Sequence, residues 1–503
     1  MEPKSRAFRL AAWVTEAPGQ ALAAFLALHA LVWTVLPTLL YANLPLDLIE
    51  ALMYGREWQL GYDKLPPLPW WLVEIAYRLA GHDFAYYLLA ELSVCAAFAL
   101  IYAAARPLLG GVGALVAVLI LDGLHYVNYT AAKFNHDVVQ LPFWALAGFA
   151  LHRGLRDRRI SDWLLLGLAV GMSLWAKYFV VVLVAPMVAL ALVDRDARKC
   201  LTTPGPYVAI AVALIVTAPH VVWLFRTDFL PFAYAEHRAV LSRGWYDHLW
   251  HPFEFGVSQL FFLIPSLLIA GPLFIPKRRA DEAPLDPSTA DAFDRRIVTW
   301  LAFGPFVAVL VLGFVSGRGA IAMWGYPLWL FLGVWLVLIA QRKLDLPRLS
   351  RIVLTWAIVF ACLALAFVAN YDILPRFDHR YRAVFFPGGT LGRDITRDWH
   401  AKTGAPLKYV IGSMWDGGNV AHYSPDQPRV LIDGNPARAP WIDLNDLKRS
   451  GAVVVWTDGD RNAVPAELHA LAPNAQVQPP LELHYRHSTK PIEAGWAIVP
   501  PQK

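Results

Sequence analysis

Between the first two long apolar runs the chain carries acids, bases and aromatics in close succession. Asp47, Glu50 and Tyr54 are followed by Gly61-Tyr62-Asp63-Lys64-Leu65-Pro66-Pro67-Leu68-Pro69-Trp70-Trp71. If residues 47–58 are helical, three- and four-residue spacings put Asp47, Glu50 and Tyr54 on one face. A carboxylate shielded from bulk water has its pKa raised towards that of a general base, suited to taking a proton from a hydroxyl. Asp47 is the first candidate for that role. The plainer reading makes Asp47 a helix N-cap with Glu50 as its capping partner, because acid-x-x-Glu before an apolar stretch is a common start signal. Pro66 and Pro67 cannot sit inside a regular helix, so they break the chain and start a helix over 68–80. Lys64 is thereby held near the bilayer surface, where an ammonium suits a phosphate on an apolar tail. The competing reading is a lysine that simply snorkels.

The elements that must position these residues are membrane spans. The sequence is 57% hydrophobic and 17% charged, and its apolar residues gather into runs too long for a soluble core. Residues 20–41 follow Lys4, Arg6 and Arg9 and read as an uncleaved first span with a cytoplasmic N-terminus. Further spans are expected near 84–105, 111–128, 138–152, 162–176, 178–193, 206–225, 254–275, 297–315, 320–340 and 351–370, about eleven in all. The stretch from Trp163 to Val193 is too long for one crossing and too short for two, so a tight pair of short helices turning near Lys177 is expected.

Charge asymmetry supports this order, since one alternate set of loops is rich in Lys and Arg: Arg153 to Arg159, Arg195 to Lys199, Lys277 to Arg279, and Arg342 to Arg351. These loops are expected in the cytoplasm. The opposite set, 43–83, 129–137, 226–253 and 316–319, mixes acids, histidines and aromatics and faces outward. The net charge of +5 is spent on orientation, which excludes nucleic acid as a partner. Cys95, Cys200 and Cys362 lie in or beside apolar segments and offer no disulfide framework or zinc spacing. After residue 370 the short β-branched runs 409–411, 429–433 and 452–456 alternate with potential helices and predict a small α/β domain. The expected organisation is a multi-spanning domain over 1–370, with its catalytic loop at 43–83, and an outward α/β domain over 371–503. The hydropathy pattern shows no internal repeat, which speaks against a secondary transporter.

The pattern Asp47-x-x-Glu50 followed by Gly61-Tyr62-x-Lys64-x-Pro66-Pro67-Leu68-Pro69 resembles the bacterial family-39 type of C-superfamily glycosyltransferases. That group includes protein O-mannosyltransferases, lipid A aminoarabinose transferases and rhizobial lipopolysaccharide galacturonosyltransferases. A second block agrees: Lys133-Phe134-Asn135-His136-Asp137 and Leu141-Pro142-Phe143-Trp144 look like the outward loop after the third span of the group. Ala176-Lys177-Tyr178 looks like its lysine-tyrosine turn. The resemblance runs from the first span to about Trp324.

The resemblance implies a polytopic α-helical membrane enzyme that inverts a sugar taken from a polyprenyl-phosphate donor. Its acceptor would be an envelope glycan or lipid, such as a lipopolysaccharide core or lipid A, on the periplasmic side of the bacterial inner membrane. Asp47 would be the catalytic carboxylate, with Glu50 assisting. Lys64, Lys177, Lys133, Arg243 and Arg318, all at expected boundaries on one side, would bind the donor phosphate. Tyr62, Asn135, His136 and Asp137 would contact substrate. The aminoarabinose enzymes carry an acid and a lysine directly before paired prolines; Asp63-Lys64 is similar, with Leu65 interposed, which makes Asp63 the candidate ligand for an optional divalent metal. No cofactor is required. The rival expectations are a transporter or flippase of lipid-linked sugar, which performs no chemistry, and a non-catalytic envelope-assembly protein.

Overall fold

The computed structural model describes residues 6–232, 242–275, 288–340, 344–469, 472–488 and 491–502. Lys4, used in reading the first span, and Lys277, Arg278, Arg279, Arg342 and Lys343, used in the charge-asymmetry reading, lie outside the described residues, as do residues 233–241 of the expected outward loop 226–253. The chain divides into two compact units. One comprises Met1–Leu36, Lys64–Pro66 and Tyr87–Phe367; the other comprises Pro37–Asp63, Pro67–Tyr86 and Val368–Lys503.

The first unit is helical. Among the described residues, six helices are long and apolar enough to cross a membrane: Pro18–Leu40, Phe84–Leu121, Gly205–Arg226, Asp247–Leu273, Ala292–Ser316 and Leu346–Asp378. A bent pair, Tyr178–Val193 with Arg195–Thr202, makes up to seven. The protein is thus a polytopic membrane protein. Phe84–Leu121 contains two of the expected spans, because Gly110 at φ 69 and ψ 178 breaks the helix in a conformation that only glycine adopts readily. The remaining expected spans correspond to His136–Asp157, Ile160–Ala176, Val181–Val193 and Leu332–Ala340, which are shorter or less apolar than a full crossing.

Two boundaries differ from expectation. The run expected to continue to 128 stops at Leu121, and residues 122–135 form short 3-10 turns at His125–Val127 and Ala131–Lys133. The run expected from 320 becomes helical only at Leu332, since Gly325 and Pro327 fall in its first half, where neither favours a helix.

An ionisable network ties the spans together. His29 lies between two carboxylates, with Nε2 3.0 Å from Glu91 and Nδ1 2.9 Å from Asp122. Asp122 also accepts a 2.7 Å hydrogen bond from the Trp356 indole. All three ionisable groups are buried, and such groups persist within spans only when paired.

The second unit is α/β. Helix Leu68–Ala80 begins where the paired prolines predict, and helix Leu46–Gly55 packs on Met414–Tyr423, with Gly418 facing Ile49. The strands are β1 (Tyr409–Gly412), β2 (Arg429–Ile432), β3 (Ala452–Trp456), β4 (Gln476–Val477), β5 (Leu481–His484) and β6 (Pro491–Val499). Their order is β2-β1-β3-β6-β4, with β5 also on β6. The first three are parallel, and β6 runs antiparallel to β3, β4 and β5. Helix Gly388–Thr403 buries Leu391, Ile395 and Trp399 in a core with Val410, Val453 and Trp496.

Gly55 sits where the two first-loop helices meet. A Cβ there falls 2.3 Å from the Trp70 carbonyl oxygen. Gly55→Ala is expected to destabilise the protein by about 1–3 kcal/mol through overpacking, read as a lowered unfolding midpoint.

Candidate active site

In the second unit, Asp47 occupies the first turn of helix Leu46–Gly55, and the N-cap is Pro45, with no side-chain cap. The capping-box alternative for Asp47 and Glu50 is therefore not realised. Both carboxylates lie on the half-buried face of the helix. Tyr54, one turn beyond Glu50, donates a 2.6 Å hydrogen bond to Asp63 Oδ1. Its phenol pKa is raised, first by burial and then by the negative charges of Asp63 and Glu50, so Tyr54 remains a donor at neutral pH.

Arg438 Nε approaches Asp63 Oδ2 at 2.7 Å and also pairs with Asp433. Tyr62 is buried and donates to the Tyr54 carbonyl at 2.7 Å, while Tyr54, Tyr62, Trp70 and Trp441 pack ring against ring. Glu57 is clamped by Arg429, with Nε to Oε1 at 3.0 Å. Asp63 and Tyr62 thus brace the loop that carries Asp47. Arg438→Ala is expected to cost about 2 kcal/mol, the scale of a lost charge-assisted hydrogen bond, and to lower the thermal midpoint.

The first unit holds a second cluster. Lys177 ends helix Ile160–Ala176 in an extended conformation, so the turn lies where its charge predicts. Its Nζ is 2.7 Å from Asp137 Oδ1, which also accepts from Gln140 Nε2 at 2.8 Å. The ammonium lies 5.5 Å from the Phe179 ring centre and 5.6 Å from that of Trp324, a cation–π cage. Asn135 caps helix His136–Asp157, its Oδ1 accepting from the Asp137 and Val138 amides at 3.0 and 3.3 Å. Asn135 Oδ1 thus has a structural task at the start of the helix that carries Asp137.

His136 Nε2 lies 3.2 Å from the Pro66 carbonyl. Because that oxygen can only accept, Nε2 carries the proton and Nδ1 is left as an acceptor. His136 ties the segment beside Lys64 to the helix that bears Asp137.

Lys64 and Lys133 are half-buried. Arg243 lies on an exposed turn whose amide bonds Asp247 Oδ2 at 2.6 Å, and Arg318 follows the left-handed Gly317 that ends helix Ala292–Ser316. Among the described residues no three His, Cys, Asp or Glu side chains form a metal-ligand group. Both oxygens of Asp63, the expected ligand, are engaged by Tyr54 and Arg438. Sequence reasoning missed Arg438, Trp441, Gln140 and Trp324. Only Gln140, at i+3 from Asp137, carried a local signal.

Comparison with known proteins bears on these residues. The family described as dolichyl-phosphate-mannose-protein mannosyltransferase matches residues 64–223, a region holding Lys64, Lys133, Asn135, His136, Asp137 and Lys177. The chain is 26% identical over 464 residues to the lipopolysaccharide core galacturonosyltransferase RgtA of Rhizobium johnstonii, covering 89% of this chain and 88% of that protein. It is 30% identical over 190 residues to the lipid A galacturonosyltransferase RgtD of the same organism, covering 36% of this chain and 38% of RgtD. The fold is similar to that of ArnT from Cupriavidus metallidurans, solved bound to undecaprenyl phosphate. The TM-score is 0.61 at 15% identity, over 96% of this chain and 100% of that one. The chain is a membrane glycosyltransferase, similar to those of the family-39 type of the C superfamily.

Proposed function

We propose that this glycosyltransferase moves a sugar from a polyprenyl-monophosphate donor to a glycan or lipid of the cell envelope, at the periplasmic face of the bacterial inner membrane. In this reading the N-terminus is cytoplasmic and residues 371–503 are periplasmic. The observation that supports it most is the similarity to RgtA over nearly the whole of both chains. RgtA and RgtD make galacturonic acid the first sugar to offer and a lipopolysaccharide core or lipid A the first acceptor.

Lys64 and Lys177 bind the donor phosphate, with Lys133, Arg243 and Arg318 as further cations of the same role. An ammonium has three N–H donors, so Lys177 can keep its bond to Asp137 and still offer two to phosphate oxygens. Asp47 takes the proton of the acceptor hydroxyl, whose oxygen forms the new bond to the anomeric carbon. The bond from that carbon to the phosphate oxygen breaks, and the polyprenyl phosphate leaves with the electron pair. Attack from the face opposite the leaving group inverts the sugar. Phosphate is already a fair leaving group, so the enzyme's main work is orientation and stabilising the charge that develops on it. No metal step is invoked.

The test compares polyprenyl-monophosphate and polyprenyl-pyrophosphate sugars as donors for the purified protein. Turnover of the monophosphate alone supports the reading, and preference for the pyrophosphate sinks it.

A further inference from the structure

Helix His136–Asp157 carries the Asp137 cluster in its first turn, and its last turns open onto a separate cavity of about 810 Å³. The cavity lies where three elements end or break. These are the Pro107–Gly110 break of Phe84–Leu121, the C-terminal end of His136–Asp157 and the first turn of Ala292–Ser316. Two of them are membrane-spanning helices, so the cavity lies at a membrane boundary. At about 1.5 Å per residue, the length of helix His136–Asp157 separates it from the Asp137 cluster by roughly the thickness of the hydrocarbon core.

Three arginines and a histidine line the cavity against two aspartates. Arg153 is fixed by Asp162, with Nε to Oδ1 at 3.0 Å, and its guanidinium lies 5.3 Å from the Phe149 ring centre. Arg156 pairs with Asp291 at 2.6 Å and Asp294 at 3.4 Å, and His152 contacts Asp294 at 2.8 Å. These pairs hold the guanidinium groups in place and leave each with further N–H donors. Arg106 is exposed at the cavity and forms no ion pair with an acid among the described residues. Tyr102, Leu108 and Phe149 supply apolar wall beside the cations. Fixed guanidinium donors over an apolar wall at a membrane boundary match an amphiphile with a phosphate head, because guanidinium pairs phosphate in a two-pronged fashion.

We propose that this cavity is a binding site for the phosphate headgroup of an anionic phospholipid, at the membrane surface remote from the Asp137 cluster. Basic pockets between membrane helices bind such headgroups by this combination of charge and apolar contact. The lipid is held by Arg106 with the pre-set Arg153 and Arg156, and its chains run along the spans.

The test uses the full-length protein in nanodiscs of phosphatidylcholine doped with cardiolipin, with the lipid retained after release read by native mass spectrometry. Arg106→Glu is expected to retain roughly ten-fold less cardiolipin than wild type, and Arg106→Lys to retain nearly as much. Sugar transfer by each variant checks that the fold is intact, since Arg106 has no part in the proposed reaction. Equal retention by wild type and Arg106→Glu overturns the site. Inorganic phosphate that displaces the lipid at low millimolar concentration overturns the lipid as occupant, because a free anion would then suffice.

Discussion

Asp47→Asn is expected to lower sugar transfer by about 10²- to 10⁴-fold, the contribution of a positioned general base, while the protein folds and retains its thermal midpoint. The second half of that expectation follows from the helix start. Because Pro45 is the N-cap and no side chain caps the helix, replacing the Asp47 carboxylate by an amide removes no cap bond, and the isosteric change leaves packing intact. A capping aspartate would instead lose stability of about 1 kcal/mol with a modest effect on rate. Rate and melting measured on the same preparation separate the two roles. Glu50→Gln serves as comparison: it is expected to reduce transfer less than Asp47→Asn, as befits a residue one turn further along that acts through its neighbour's charge.

Lys177→Ala is expected to destabilise the protein by about 3–5 kcal/mol, because it leaves the Asp137 carboxylate buried without its cation. Both side chains are about nine-tenths buried, so solvent does little to screen the loss, and Gln140 remains as a neutral donor. Lys177→Met combined with Asp137→Leu removes both charges and is expected to recover most of that stability, since apolar replacement of a whole buried pair is often neutral or better. Transfer should stay depressed in the double variant, because the proposed phosphate site loses the Lys177 ammonium and keeps only Lys64 and the further cations. Chemical denaturation followed by tryptophan fluorescence reads the first effect, and initial rates read the second. Recovery of both properties in the double variant would make the pair purely structural.

Local rules placed some elements well. Two prolines cannot continue a helix, so Leu68–Ala80 begins directly after them. β-branched runs bounded by turn residues fell within a residue of β1, β2 and β3. A lysine inside an apolar stretch has to find a partner or a boundary, and the turn at Lys177 follows from that cost. The misplaced start at Leu332 lies where apolar composition extends beyond the helix, which hydropathy alone cannot distinguish from a span, whereas Asp122 and Gly123 stand directly after the end at Leu121.

The partners of the candidate residues were not legible, because they are distant in sequence. Asp63 meets Arg438, 375 residues on, and Glu57 meets Arg429, 372 residues on. Neither arginine sits in a motif. The same holds for His29 with Glu91 and Asp122, which lie in or at the end of apolar helices and are far apart in sequence. The residues expected to act on substrate also divided in a way that spacing could not foretell. Asn135 Oδ1 caps a helix and the Tyr62 hydroxyl bonds the backbone of the first-loop helix, whereas Asp137 and Lys177 are joined.

The most direct test of the central claim is sugar transfer by the purified full-length protein in nanodiscs. It would be offered polyprenyl-monophosphate sugars, beginning with galacturonic acid, and total envelope lipid as acceptor, beside Asp47→Asn. The expected result is a glycosylated envelope lipid with inverted anomeric configuration, formed by the wild type and lost in Asp47→Asn. Well-folded protein that consumes no donor across the panel would contradict the proposed donor class, and normal turnover by Asp47→Asn would contradict the proposed base.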